Sequence, residues 1–238
     1  MLKEKEIMEN KSILLNFRSL FNRELAKRLF SVIIFVPIFI YSLYQGGALL
    51  LSLFIIFFIM ILSELVYIFK LSNFKIGVGI YIFIAAYTII LSPFYYFSLD
   101  NNFLIFVYIL LSLWIFDTFS YIGGSIFKGK KIFPNLSKGK TYSGSITGLI
   151  AVSLLNLFFT YYLYNKIFFN YLFILAFLIS VLSFIGDATV SFIKRRSDLK
   201  DTGNLFIGHG GFLDRMDSFI FVFFFFIVFD IHKLIYYV

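Results

Sequence analysis

The sequence predicts an all-α, polytopic membrane protein with about seven transmembrane helices and a polar site that faces the cytosol. Of its 238 residues 61% are hydrophobic and only 14% are charged, with a mean hydropathy of +0.93. Soluble domains average about 25% charged residues, and a soluble protein of this length could not bury so much apolar surface. The apolar runs are continuous, which favours helices over the alternating strands of a transmembrane barrel.

The long apolar runs are the candidate spans, because a helix needs about 20 apolar residues to cross a bilayer. We predict spans near residues 29–44, 47–69, 76–97, 103–123, 143–164, 170–191 and 216–237. The first is short and contains Pro37, and the third is expected to end early, near Pro93. The last carries Asp230, His232 and Lys233 near its outer end, which weakens the case for that span.

The basic residues orient these spans, because cytoplasmic loops of membrane proteins are enriched in Lys and Arg. Residues 1–28 form a charged tail, whose end is either an amphipathic interfacial helix or a solvated segment. With the tail inside, all but Lys166 and Lys233 of the 21 Lys and Arg residues fall in cytoplasmic segments. The N-terminus and the polar site are therefore expected at the cytoplasmic face of the cell (inner) membrane.

Composition also excludes some classes of site and partner. The chain has no cysteine, so it has no disulfide, zinc–thiolate site or catalytic thiol. The formal net charge of +8 lies mostly on one face, where it would attract anionic lipids and nucleotides. Nucleic acid is not an expected partner, because the basic residues sit in short loops between spans.

The densest polar run beyond the tail covers residues 191–218 and is flanked by apolar sequence. Its charged residues are Lys194, Arg195, Arg196, Asp198, Lys200, Asp201, Asp214, Arg215 and Asp217. Charges at a membrane boundary are costly unless they have a use. Carboxylates suit a hard divalent cation, Lys and Arg suit phosphate oxygens, and a glycine pair lets backbone N–H groups approach an anion. The run therefore predicts chemistry on a phosphate at a bilayer surface.

A polar stripe runs along the sixth predicted span toward its cytosolic end. At helical spacing it contains Ser180, Ser183, Asp187, Ser191, Lys194 and Asp198. Serines alone would indicate a seam that hydrogen-bonds to neighbouring helices. Asp187, about one turn inside the boundary and followed two turns later by Lys194, favours a functional stripe, in which the carboxylate of Asp187 is expected to compensate the charge of Lys194.

The fourth span and the loop after it contribute a second set of polar residues. The span ends with Asp117, Ser120, Tyr121 and Gly124. After the loop, Lys140 and Thr141 are flanked by Gly139 and Gly144 at the start of the next span. A helix N-terminus of this kind can hold a phosphate.

Two isolated polar residues leave alternatives open. Glu64 lies in the second span about a turn from its cytosolic end, where pairing with Lys70 or extension to the interface is favoured over a role in chemistry. His209 lies between Gly208 and Gly210 in a polar loop, which favours contact with a phosphate or a base over a packed core histidine.

The polar run resembles the C-terminal signature of the phosphatidate cytidylyltransferases, the CDP-diacylglycerol synthases. The matching positions are Ser191, Lys194, Arg195, Lys200, Asp201, Gly203, His209, Gly210, Gly211, Asp214, Arg215, Asp217 and Ser218. Upstream, Gly186 and Asp187 resemble the Gly-Asp pair that precedes this signature. A second conserved block is matched by Asp117, Thr118, Tyr121, Gly124, Phe127, Lys131, Pro134, Ser137, Lys140, Thr141 and Gly144.

Some positions depart from the family's pattern. Ile207 and Lys138 stand where the family usually has Pro, and Ser143 stands where it usually has Glu. Because Ser143 has no carboxylate, no role of a carboxylate at this position can be carried over from the family to this chain. The chain is also short for the family, and is expected to lack a span or two of the N-terminal half.

The resemblance implies a reaction in which CTP and phosphatidate give CDP-diacylglycerol and pyrophosphate. It implies a requirement for Mg²⁺, and a second cation would be compatible with a two-ion phosphoryl-transfer site. It also implies a homodimer whose sites face the cytosol and open to the inner leaflet. Residues 29–116 would then be N-terminal transmembrane helices, and residues 117–238 the catalytic transmembrane region with the signature at 191–218.

The resemblance and the residue chemistry together assign roles to the candidate residues. The predicted catalytic residues are Asp187, Lys194, Arg195, His209, Asp214 and Arg215. Of these, Asp187 and Asp214 are the predicted metal ligands, because Mg²⁺ typically takes one or two carboxylates plus phosphates and waters. The predicted substrate-binding residues are Asp117, Lys140, Thr141, Ser191, Lys200, Gly210, Gly211 and Asp217.

Two other functions would share some of these features. A transporter could bury Asp117 and Asp187 on a proton or cation path, but it would not need a long polar run, and no inverted repeat is visible. A lipid kinase that uses CTP would share the membrane and the nucleotide, and would differ in which phosphate it transfers.

The charge asymmetry leads to a test of orientation. Reporters fused after Lys131 or after Lys200 should read as cytosolic, and a reporter fused after Asn101 should read as external, because the basic loops stay inside. Paired reporters that are active on opposite sides of the membrane measure this directly. External activity at either basic loop would overturn both the span map and the position of the site.

Overall fold

The computed structural model of the chain describes residues 36–98, 102–134, 137–164, 169–203 and 210–231. The tail at 1–28, the start of the first predicted span, Ile207 and His209 lie outside the described residues. So does the end of the last predicted span, which includes His232 and Lys233.

Helices make up most of the described chain, which confirms the predicted helical class. Helix α1 covers residues 36–45. The elements that follow are α2 (Gly47–Leu71), α3 (Lys75–Ser98), α4 (Asn102–Phe127), β1 (Lys131–Phe133), β2 (Ser137–Thr141), α5 (Tyr142–Tyr164), α6 (Phe169–Arg196) and α7 (Leu213–Phe229).

The long helices are those of a multi-pass membrane protein. In the described part of the chain, 5 helices, α2 to α6, are long and apolar enough to cross a membrane. Helix α7 has 17 residues and is also strongly apolar after its first turn. The count of about seven spans stays a prediction, since α1 continues into residues that the structure does not describe.

A small β-hairpin between α4 and α5 was missed by the all-α prediction. Strands β1 and β2 are antiparallel, with Lys131 opposite Thr141 and Phe133 opposite Ser137. The amide of Tyr142 donates to the carbonyl of Lys130 at 3.0 Å and joins the hairpin to α5. These strands are short and rich in lysine, so they lack the apolar alternation by which a strand is recognised in a sequence.

Helix α3 confirms the predicted span of 76–97 and not the alternative of an early end, whereas the bounds of α7 differ from the prediction. Helix α3 does not end near Pro93 but continues to Ser98. A proline is tolerated inside a membrane helix when neighbouring groups and packing compensate for the lost backbone bond, and Pro93 is buried. Helix α7 begins earlier than expected, at Leu213, and ends at Phe229, where Asp230 adopts a left-handed conformation (φ 49°).

Helix α7 is the central helix of the described structure. It packs against α2, α3, α4 and α6. Its apolar residues form a ladder of rings, with the centroids of Phe219 and Phe223 at 4.2 Å and those of Phe106 and Phe223 at 4.6 Å. One hydrophobic core joins residues from α1 to α4 with residues of α6 and α7. The start of α7 is therefore held by packing on several sides.

Helices α6 and α7 approach each other most closely at Gly186. A Cβ atom at that position would lie 2.7 Å from the carbonyl oxygen of Asp217 and 2.8 Å from Cβ of Phe221. The hydroxyl of Ser218 also donates to the carbonyl of Ser183 at 3.2 Å. This contact brings the polar stripe of α6 beside the first turns of α7.

Candidate active site

The polar residues predicted from the sequence meet where α4 and α6 end and where α5 and α7 begin. The hairpin brings Lys140 and Thr141 to the first turn of α5. The hydroxyl of Thr141 accepts a hydrogen bond from the amide of Gly144 at 3.1 Å, so Thr141 caps this helix. This capping role explains why a Thr occupies position 141 even if its side chain binds no phosphate.

Lys140 forms an ion pair with Asp187 on α6. Its Nζ lies 2.7 Å from Oδ2 of Asp187 and donates to the carbonyl of Phe184 at 3.2 Å. The same Nζ stands 4.3 Å from the centroid of the Phe184 ring. The hydroxyl of Ser191 donates to Oδ1 of Asp187 at 3.3 Å. Asp187 is therefore neutralised from the hairpin, and the expectation that it compensates Lys194 was wrong.

Lys194 pairs instead with Asp214 in the first turn of α7. Its Nζ lies 2.7 Å from Oδ1 of Asp214, and both side chains are largely shielded from solvent. The other oxygen of Asp214, Oδ2, accepts hydrogen bonds from the amides of Thr202 at 3.0 Å and Gly211 at 3.2 Å. Asp214 thus joins α6, the segment after α6 and the turn before α7.

Asp117, Asp187 and Asp217 come from α4, α6 and α7 and lie close enough to repel one another electrostatically. Lys140 is the attractive charge that acts on both Asp117 and Asp217. The hydroxyl of Ser183 donates to Asp117 at 3.3 Å, and the amide of Ser218 donates to Asp217 at 2.6 Å. The tertiary structure therefore brings three of the predicted site residues into one acidic group.

The acidic group fits a divalent cation in chemistry. Its carboxylates outnumber the one lysine that faces them, and carboxylate oxygens are the ligands that Mg²⁺ prefers. Within the described residues there is no cluster of three or more His, Cys, Asp or Glu side chains with the geometry of a ready-made metal cage. Mg²⁺ often completes its shell with substrate phosphates and water, so such a cage is not required. Of the two predicted ligands, Asp187 belongs to this acidic group, whereas Asp214 is bonded to Lys194 and two amides, so a cation shared by Asp187 and Asp214 stays a prediction.

Most of the remaining predicted residues belong to the described segments that adjoin these ion pairs in sequence. Arg195 is exposed, and its guanidinium donates to the carbonyl of Leu199 at 3.3 Å. Lys200 and Arg215 are also exposed. Gly210 has φ 76°, and a Cβ atom there would lie 2.9 Å from Oδ2 of Asp214. The amide of Gly211 is already bonded to Asp214, and His209 lies outside the described residues.

Glu64 is the site residue that sequence reasoning undervalued. It is 4% exposed, and it accepts hydrogen bonds from the hydroxyl of Thr202 and the amides of Phe212 and Leu213. The expected pairing with Lys70, or extension to the interface, was wrong. The sequence did contain one indication against pairing with Lys70. Residues six apart do not share a helix face, so Lys70 could not easily reach Glu64.

Residues 74–232 match the Cytidylyltransferase family. The chain belongs to this family.

Several curated relatives within the cytidylyltransferases carry one name. The chain is 40% identical over 129 residues to the phosphatidate cytidylyltransferase of Rickettsia conorii, covering 50% of this chain and 54% of the relative. It is 38% identical over 130 residues to the Rickettsia prowazekii protein of the same name, covering 51% and 56%. The Bacillus subtilis protein of that name is 36% identical over 115 residues, covering 48% and 43%. The chain spans about half the length of the curated relatives that it matches.

Among the positions that depart from the cytidylyltransferase pattern, the structure describes the side chain of Ser143. Its hydroxyl accepts a hydrogen bond from the amide of Gly129 at 3.2 Å and lies 3.2 Å from the hydroxyl of Thr141. Ser143 therefore ties the end of the α4–β1 connection to the start of α5. The side chain of Lys138 and residue Ile207 lie outside the described part of the chain.

This contact leads to a prediction for Ser143→Ala. The change removes the hydrogen bonds with the Gly129 amide and the Thr141 hydroxyl but no charge, so the catalytic rate should stay within about tenfold of wild type, or roughly 1.4 kcal/mol in the barrier. Steady-state rates of purified protein measure the effect. Ser145→Ala is the matched control, since that hydroxyl also bonds the hairpin, at the carbonyl of Thr141. A much larger loss for Ser143→Ala alone would show that the hydroxyl has a catalytic task.

Proposed function

We propose that this protein is a phosphatidate cytidylyltransferase, which transfers CMP from CTP to phosphatidate and releases pyrophosphate. The observation that carries the proposal is the presence of two ion pairs, Lys140 with Asp187 and Lys194 with Asp214, that meet helix α6 at positions two turns apart. Ammonium groups beside an acidic group suit a reaction between two phosphates and a divalent cation. Family membership and the names of the relatives support the same reaction.

The substrate supplies the nucleophile in this reaction. A phosphate monoester has a second pKa near 6, so phosphatidate is largely dianionic at neutral pH. One of its oxygens attacks the α-phosphorus of CTP, the bond to the bridging oxygen of the β-phosphate breaks, and pyrophosphate leaves with the bonding electrons. No proton has to be removed from the nucleophile, so the protein needs neither a nucleophilic side chain nor a strong general base.

The task of the protein is to neutralise charge and to align the two phosphates. Lys140 and Lys194 are already held at the site by their carboxylate partners, so little side-chain freedom is lost when a phosphate arrives. The exposed Arg195 and Arg215 lie on the segments next to these lysines and would reach the triphosphate or the lipid phosphate. Where Mg²⁺ is bound, Asp187 and Asp214 would hold it, and it would offset negative charge on the triphosphate.

Location and assembly are part of the proposal. The concentration of Lys and Arg on one side supports a site at the cytoplasmic face of the inner membrane, with about seven spans. A lipid substrate reaches such a site by diffusing within the leaflet. We also propose a homodimer and a requirement for Mg²⁺, with a second cation compatible with the acidic group.

The position of the label decides between this reaction and transfer by a CTP-dependent lipid kinase. Purified protein is supplied with phosphatidate, Mg²⁺ and CTP labelled at the α-phosphate or at the γ-phosphate. We expect label from the α-phosphate in the lipid and label from the γ-phosphate in pyrophosphate. A lipid labelled only by γ-phosphate would overturn the proposal in favour of a kinase, and the absence of any labelled lipid would overturn both enzymes.

The acidic residues give a second test. Asp187→Asn and Asp214→Asn each keep side-chain shape but remove a charge that a lysine and the predicted cation both use. Each change should lower turnover at least about a hundredfold, on the order of 3 kcal/mol. The double variant should be little worse than either single variant, because residues that act as one unit are not additive.

The control for this test is Asp201→Asn, at an exposed position in the segment after α6, which should cost less. Titration of activity with Mg²⁺ shows whether the loss follows cation binding. Losses at Asp187 and Asp214 that multiply in the double variant would contradict the shared cation. So would a folded Asp187→Asn protein with a near-normal rate and Mg²⁺ dependence.

A further inference from the structure

The buried carboxylate of Glu64, on α2, receives three hydrogen bonds from a distant part of the chain. Its Oε1 accepts from the amide of Phe212 at 2.7 Å. Its Oε2 accepts from the hydroxyl of Thr202 at 2.8 Å and from the amide of Leu213 at 2.9 Å. One side chain therefore holds both the segment after α6 and the start of α7.

These contacts supply what the start of α7 lacks. The first amides of a helix have no hydrogen-bond partner within the helix, and the N-terminal end of the helix carries roughly half a positive charge. Phe212, the residue before α7, provides no side-chain cap. Glu64 serves as the cap from another helix, and the amides offset the cost of burying its charge, which would otherwise amount to several kcal/mol.

Two glycines leave room for this carboxylate. A Cβ atom at Gly211 would lie 1.9 Å from the hydroxyl of Thr202 and 2.3 Å from Oε2 of Glu64. A Cβ atom at Gly203 would lie 2.9 Å from Oε1 of Glu64. All three distances are shorter than a Cβ atom tolerates, so the polar segment is shaped around Glu64.

A continuous chain of contacts leads from Glu64 to the ion pairs of the site. Thr202 donates its hydroxyl to Glu64 and its amide to Asp214. Asp214 in turn binds Lys194 at 2.7 Å. Because Thr202 is bonded on both sides, a shift of Glu64 would move the partner of Lys194.

We propose that Glu64 is a positioning residue for cytidylyl transfer, acting through Thr202 and the start of α7 on Asp214 and Lys194. The inference rests on the proposed function. Glu64 lies outside residues 74–232, which match the family, so its role adds a helix to the catalytic unit. Since the amides of Phe212 and Leu213 are bonded to Glu64, phosphate is bound by side chains and not by these amides.

Kinetics of Glu64→Gln test the positioning role. The amide keeps the size of the side chain, but its NH₂ group must face the N–H of Phe212 or Leu213, so one hydrogen bond becomes a repulsion. We expect kcat per folded protein to fall at least tenfold, which is about 1.4 kcal/mol in the barrier. KM for CTP should change less than threefold, because Glu64 does not touch the nucleotide. Ser63→Ala, at the exposed neighbouring position, is the matched control and should leave both constants unchanged.

Variants of Thr202 test the same contact from the other side. Thr202→Ser keeps the hydroxyl and should retain wild-type kcat, whereas Thr202→Val keeps the shape, loses the hydroxyl and should lower kcat. The losses from Glu64→Gln and Thr202→Val should not multiply in the double variant, because both changes disturb the same cluster of hydrogen bonds that holds Asp214. If Glu64→Gln does not fold, the comparison of kcat between Thr202→Ser and Thr202→Val still tests the contact between Thr202 and Glu64.

A labelling experiment measures positioning without reference to activity. The chain has no cysteine, so a single Ser197→Cys substitution provides a unique thiol. Ser197 is 6% exposed and lies at the end of α6, five residues before Thr202. Loss of the Glu64 contact should increase maleimide labelling of this thiol at least fivefold. Ser112→Cys, fully buried on α4, is the control for general unfolding and should stay unlabelled.

The combined outcomes decide the proposal. A fall in kcat together with labelling confined to the Ser197→Cys thiol supports it. Unchanged kinetics, unchanged labelling, or equal labelling of the Ser112→Cys thiol overturns it, the last because Glu64 would then support only the general fold. If the wild-type protein makes no CDP-diacylglycerol, the proposed function fails by itself, and the labelling still decides whether Glu64 orders the segment.

Discussion

The pairing of carboxylates that lie against apolar helices, one of them fully buried, is the constraint on which the polar end of this protein depends. A carboxylate shielded from water beside apolar helices costs several kcal/mol unless donors surround it. Glu64 faces backbone amides, Asp187 faces Lys140, and Asp214 faces Lys194 and two amides. These bonds link α2, the hairpin, α6 and α7, so the acids that suit the proposed chemistry also hold the surrounding elements in place.

The polar segment between α6 and α7 divides its residues between two tasks. Thr202, Gly203 and Gly211 surround Glu64 and give the segment its shape. Lys194 and Arg215 stand on the helices at either end, with side chains suited to phosphate. The glycines of this segment resemble those of a phosphate-binding loop. In the described residues, however, they make room for the carboxylate of Glu64.

Apolar packing below the site gives this arrangement its rigidity. Helix α7 is bonded to its neighbours through Ser218, whose hydroxyl reaches the carbonyl of Ser183, and through Ile220, whose carbonyl accepts from Thr88. The Phe219 and Phe223 rings extend the contact to α4. Because α7 cannot shift without disturbing this packing, Asp214 and Asp217 keep their positions at the polar end.

Composition and local spacing were sufficient for the helical membrane class, for the polar stripe of α6 and for the family, since each depends on residues close together in the chain. The partners of the charges were not predictable in this way. Lys194 was assigned to Asp187 on its own helix, yet it binds Asp214, 20 residues further on. For Glu64, pairing with nearby Lys70 or extension to the interface was expected, yet it binds Thr202, 138 residues away. Helical periodicity shows which residues share a face, but only the packing of helices decides which charges that face meets.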